Sequence, residues 1–172
     1  MAGWLAGLAW MSVACQSGNS SGQQMPLVEA QSSSMINLEV DKGPLPYVLD
    51  IEAATLQNMN YRTVHWTGAN MQLVFMTLKP GEIIDLEIHQ GHDQFLRIEQ
   101  GNARVWMGMA EDNLDFDQQV SDDWAILIPA GYWHKVENIG DTDLKLYTLY
   151  GPPEHAPGKI HATYDETKVS HE

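Results

Sequence analysis

Gly81-Glu-Ile-Ile-Asp-Leu-Glu87-Ile-His89-Gln-Gly-His-Asp-Gln94-Phe-Leu-Arg-Ile-Glu-Gln-Gly101 reads as two extended runs, broken by a polar loop at Gln90–Asp93 and stopped by glycine at both ends. The pattern predicts a strand, a short turn and a second strand. Side chains on a strand alternate faces with a period of two, so Glu87 and His89 share one face, and a tight turn brings Gln94 beside them. Some thirty residues later, Pro129-Ala-Gly131-Tyr-Trp-His134-Lys-Val-Glu-Asn138 follows the apolar run Trp124–Ile128. A Pro/Gly turn therefore launches a further strand at His134 and offers a fourth metal-capable group.

The two stretches resemble the paired motifs of the cupin superfamily. The first family motif runs Gly, five residues, His, one residue, His, three or four residues, Glu, six residues, Gly. The second runs Gly, five residues, Pro, one residue, Gly, two residues, His, three residues, Asn. Pro129, Gly131, His134 and Asn138 match the second motif, with Asp123 in place of its leading glycine. Gly81, His89 and Gly101 match the first in register, while Glu87 stands where the first histidine belongs and Gln94 where the glutamate belongs. The resemblance covers about Met35 to Gly151. It implies an all-β fold, the double-stranded β-helix or jelly-roll barrel, and a metal set of Glu87, His89, Gln94 and His134.

That set keeps the single carboxylate of the usual three-His, one-Glu site, moved to another corner. Imidazoles suit zinc, iron, nickel and copper, and oxygen donors suit manganese as well, so the expected cofactor is a divalent ion: Fe, Mn, Zn or Ni. The amide of Gln94 is a weak donor that water or substrate can replace. The competing reading is a hydrogen-bonded polar cluster in a metal-free barrel. A carboxylate is rarely buried unpaired, and four ligand types at motif spacing favour the metal.

At 172 residues the chain has room for one domain with tails and no second catalytic domain. Its net charge of −14 and pI near 4.6 argue against nucleic acid, which calls for basic patches. Residues 1–14 form an apolar run of signal-peptide length, followed by the single cysteine, Cys15, and a Ser/Gly/Gln-rich stretch to residue 34. This resembles a bacterial lipoprotein signal with its polar tether. The organisation expected is a signal-like segment over 1–15, a flexible linker over 16–34, the barrel over 35–151 and a polar C-terminal tail over 152–172. The place expected is the periplasm or cell envelope, with a lipid anchor through Cys15; the alternative is the cytoplasm.

From Met35 the chain alternates in short apolar runs: Tyr47–Leu49, Tyr61–Trp66, Gln72–Leu78, Ile83–His89, Phe95–Glu99, Ala103–Met107, Trp124–Ile128, His134–Ile139 and Leu144–Tyr150. These read as strands, and only Glu52–Asn58 suggests a helical turn. The acidic segment Glu111–Asp123 reads as the variable loop between the motifs. His92 and Asp93 read as solvent-facing loop residues, His65 as an ordinary strand residue, and His155 and His161 as part of a solvated tail. Asn138 and Tyr132 share the face of His134, and Trp133 points the opposite way.

Neither a Ser-His-Asp arrangement nor a phosphate loop appears, and no catalytic residue is assigned. The function expected is that of a metal-dependent enzyme on a small molecule, of oxygenase, isomerase or lyase type, acting as a homodimer. The alternative is a non-catalytic metabolite- or metal-binding protein of the cell envelope.

Overall fold

Two antiparallel sheets face each other, and alternation along their strands explains why they do. The computed structural model describes residues 35–169. The signal-like segment, Cys15 and the linker expected over 16–34 lie outside them. The elements are α1 (Ile51–Gln57), β1 (Arg62–Thr67), β2 (Gln72–Leu78), β3 (Ile83–Ile88), β4 (Asp93–Gln100), β5 (Asn102–Gly108), β6 (Phe116–Ser121), β7 (Ala125–Ile128), β8 (Trp133–Asn138), β9 (Leu144–Gly151), β10 (Ile160–His161) and α2 (Tyr164–Val169). One sheet has the order β10-β1-β2-β9-β4-β7 and the other β3-β8-β5-β6. This is the jelly roll expected from the sequence.

Inward positions at every second residue build the core: Val74, Met76 and Leu78 on β2, Leu96 and Ile98 on β4, Val105 on β5, Val136 on β8 and Leu144 and Leu146 on β9. Burying each such side chain contributes about 1.5–3 kcal/mol. The strand β2 is buried along its whole length because its outer face is covered as well. Leu73, Phe75 and Tyr147 pack there with Ala54 of α1 and with Leu38. His65 lies on this outer side, fully buried between the rings of Tyr47 and Phe75, away from the barrel interior.

The helix α1 starts where Asp50 accepts from the Ala53 amide at 3.0 Å. It ends where the buried Lys145 ammonium donates to the carbonyls of Leu56 and Asn58 at 2.8 and 2.6 Å, satisfying groups the helix leaves open.

Four readings of the sequence change. Tyr47–Leu49 is irregular rather than a strand, and covers the outer face through Tyr47 and Leu49. The segment Glu111–Asp123 is not simply a loop: it contains β6, paired along its length with β5. That strand is an edge with every side chain but Val120 and Ser121 exposed, so it carries no apolar alternation to read. The Arg104 guanidinium holds it through a two-pronged pair with Asp117 at 2.8 and 2.6 Å.

The stretch after Gly151 is no solvated tail. Its strand β10 pairs with β1, and Gln72, fully buried, clamps it by donating to the His155 carbonyl at 2.8 Å and accepting from the His155 amide at 3.0 Å. His161, expected to be solvated, is buried in this strand. Asp41 fastens the same return, accepting from the Gly158 amide at 3.1 Å, the Thr67 hydroxyl at 2.6 Å and the Gly43 amide at 2.7 Å. Burial pushes the Asp41 carboxyl up, but the hydrogen bonds it accepts outweigh this and hold it below the usual carboxylate range.

Candidate metal centre

The two halves of the site meet through backbone geometry. Gly131 adopts a positive φ of 81°, open to glycine and strained for most residues, and its amide donates to the His89 carbonyl at 2.8 Å. The turn before β8 is thereby tied to the end of β3. Asp123, at the place of the second motif's leading glycine, also has a positive φ, 68°. Aspartate is one of the few side chains that tolerate this conformation, so the departure from the motif preserves the turn.

Along β8, His134, Val136 and Asn138 are buried on one face. Asn138 donates to the carbonyls of Leu78 and Thr142, both at 2.8 Å, and accepts from the Gly140 amide at 2.9 Å. On β3 the register slips between Ile84, opposite Val136, and Glu87, opposite His134. Three steps on one strand match two on the other, which is a bulge. Strict alternation from the buried Ile84 would send Glu87 outward; the extra residue turns it in toward His134.

Glu87 Oε1 lies 3.4 Å from His89 Nε2 and 3.3 Å from His134 Nε2. These three groups can be spanned by one ion, since their donor atoms all lie within 4.8 Å of one another. The His134 Nδ1 atom is 3.1 Å from the Tyr132 carbonyl, which only accepts, so Nδ1 carries the proton and Nε2 presents its lone pair to the site. Glu87 Oε1, His89 Nε2 and His134 Nε2 are buried and have no hydrogen-bond partner of good geometry. A neutral His134 Nε2 lone pair facing a carboxylate oxygen at this distance repels it unless a proton or a metal cation lies between them, and the donors present fit a divalent first-row ion. Without an ion, burial pushes the Glu87 carboxyl up, but the His134 and His89 imidazoles more than reverse this and hold it well below its usual range.

Gln94 sits in an inward-facing row across the six-stranded sheet, Gln72 beside Tyr150, Tyr150 beside Gln94, Gln94 beside Ile128. It is buried, its amide nitrogen donates to the Thr148 hydroxyl at 3.1 Å, and its Oε1 is left without a partner. The structure thus gathers Glu87, His89 and His134 into one cluster, with Gln94 on the inner face of the sheet opposite.

His92 differs from its reading as a solvent-facing residue. It stands in the loop before β4, but its side chain is only 9 % exposed and its ring stacks on His89 with centroids 4.6 Å apart. The Glu154 carboxylate, on the returning C-terminal segment, lies 3.3 Å from His92 Nε2 and 3.9 Å from His89 Nδ1. Next to it His155 packs edge-on to Tyr150, and burial, with the charge of Arg62, pushes its imidazole down to about 3. These contacts depend on where the last segment folds back, which no local spacing announces.

A cavity of about 870 Å³ opens beside Glu87 and His89, and Glu154, His155 and Lys159 of the returning segment also line it. A cupin-domain family model matches residues 74–150, both motif stretches included. An uncharacterized protein of Acanthamoeba polyphaga mimivirus is 45 % identical over 115 residues, which cover 66 % of this chain and 70 % of that protein. The chain belongs to the cupin superfamily.

A second relative, the uncharacterized protein YrkC of Bacillus subtilis, is 53 % identical over 123 residues, 72 % of this chain. The match spans 66 % of YrkC, just under two thirds of its length. The crystal structure of BH2720 from Bacillus halodurans superposes with a TM-score of 0.75 at 48 % identity, covering 76 % of this chain and 98 % of that one.

Proposed function

We propose that this cupin is a metal-dependent enzyme acting on a small molecule, with Glu87, His89 and His134 holding a divalent first-row ion and Gln94 as a weak fourth donor. The observation that carries the reading is the convergence of three buried donor atoms without hydrogen-bond partners, Glu87 Oε1, His89 Nε2 and His134 Nε2. Two imidazoles and one carboxylate are a donor set that leaves coordination positions open, the set used by non-haem iron oxygenases and compatible with manganese, zinc and nickel.

An ion there supplies Lewis acidity toward an oxygen of the bound molecule. The Glu87 carboxylate offsets part of its charge, the Tyr132 carbonyl orients His134, and the Tyr150 ring walls off His89 from the core side. The cavity beside the cluster admits a small molecule, and this supports catalysis over mere metal storage. The experiment is metal analysis of protein purified without added metal, set against a Glu87→Ala/His134→Ala double variant. The expected result is near-stoichiometric metal in the native protein and little in the variant; equal, substoichiometric metal in both contradicts the reading.

A further inference from the structure

The cavity beside Glu87 has walls on which acidic and basic side chains are equal in number but are not all paired with one another. Three of its side chains are acidic, Asp85, Glu87 and Glu154. Each is engaged: Asp85 by the Lys168 ammonium and by the Tyr164 hydroxyl at 2.7 Å, Glu87 by the two imidazoles, Glu154 by His92. Three others are basic, Arg62, Lys159 and Lys168. Lys168 is spent on Asp85. Among the described residues Arg62 and Lys159 have no carboxylate within ion-pair distance.

Arg62 is placed, not splayed into solvent. It opens β1 two residues before the buried Val64, so the two share the barrel-facing side, and it stands opposite Met76 on β2 and His161 on β10. Its Nε is buried and has no hydrogen-bond partner. A buried guanidinium donor left unpaired costs free energy that a bound acceptor would recover. In a chain of net charge −14, a concave site with two uncommitted cations is also a local focus for anions.

We propose that the substrate of this site is a small organic anion, its carboxylate or phosphate group held by Arg62 with Lys159 at the cavity wall. The inference rests on the metal reading for what happens at Glu87, His89 and His134, but the anion pocket is separable from it. A planar, forked guanidinium suits either oxyanion through paired N–H···O bonds, whereas the lysine adds a point charge. The returning segment that carries Lys159 thus completes a binding wall for which the barrel alone supplies only Arg62.

The test is ligand-observed NMR on the full chain loaded with zinc, with lactate, its neutral amide lactamide, and inorganic phosphate as separate probes. Arg62→Gln is expected to weaken lactate or phosphate binding by about tenfold or more, Arg62→Lys by less, and neither to change lactamide. Lys135→Gln removes the same charge on the outer side of the barrel, where Lys135 faces the Trp106 ring, and is expected to leave all three probes unchanged. An effect on lactate alone assigns a carboxylate, an effect on phosphate alone a phosphate ester. Equal anion binding in native protein and Arg62→Gln, or an equal loss in Lys135→Gln, overturns the proposal. Zinc content is read on every sample, so a native protein that takes no zinc counts against the metal centre, while the probe series still decides the anion pocket.

Discussion

A Glu87→Gln protein is expected to lose its metal, with affinity lower by about 100-fold or more, while Gln94→Ala stays within a few-fold of the native protein. Glu87 is the one anionic donor of the set, and its Oε1 is the atom both imidazoles face. Turning it into an amide leaves a divalent ion among neutral groups. Gln94 offers only an amide dipole, which water can replace, and its nitrogen remains tied to Thr148. Gln94→Glu adds a second carboxylate and is expected to bind more tightly than native.

Both imidazoles must be unprotonated to ligate, so affinity falls as the pH drops. For His89 the loss sets in at higher pH than usual: burial pushes it down, but the Glu87 carboxylate beside it more than offsets this and raises it. Titration of each variant with one metal gives the order directly. If Gln94→Ala loses the metal and Glu87→Gln keeps it, the ligand assignment is wrong.

Asn138→Ala is expected to be the most destabilising single truncation near the site, at about 3 kcal/mol. The side chain is 1 % exposed and makes three hydrogen bonds, to the carbonyls of Leu78 and Thr142 and from the Gly140 amide. Alanine leaves the buried Leu78 carbonyl and the part-buried Thr142 carbonyl and Gly140 amide without these partners, at about 1–3 kcal/mol for a buried group and less where water reaches. The backbone of Asn138 also accepts from Gly81 and donates to Glu82, so this residue joins the start of the first motif stretch to the end of the second. Asn138→Asp fares no better, because a carboxylate cannot donate to two carbonyls. Urea unfolding followed by tryptophan fluorescence measures the cost, and a change below about 1 kcal/mol would show that the network reorganises around the gap.

Much of this was legible in the sequence because the barrel writes its core as alternation. Gln72–Leu78 has the same bounds as β2, and the positions of Gly81, Gly131 and His134 follow from the turns they serve. The pairing of Glu87 with His89 on one face also followed from the period of two. What alternation could not give was the bulge in β3, since the slip between Ile84 and Glu87 is visible only against its partner β8. Edge strand β6 escaped for a different reason: half-solvated strands carry few apolar residues. His92, Glu154 and His155 escaped because their burial is tertiary, produced when the chain after Gly151 returns along β1 under the grip of Gln72 and Asp41. Arg62 lay in plain view inside a strand pattern, but nothing local says that it lacks an acidic partner.

The most direct test of the metal centre is X-ray absorption at the edge of whatever metal the native protein carries. The expected spectrum has nitrogen and oxygen neighbours at about 2.0–2.2 Å, with the outer-shell scattering of two imidazoles, and loses one imidazole in His134→Ala. A native spectrum showing sulfur donors, or one that His134→Ala leaves unchanged, would contradict the centre built from Glu87, His89 and His134.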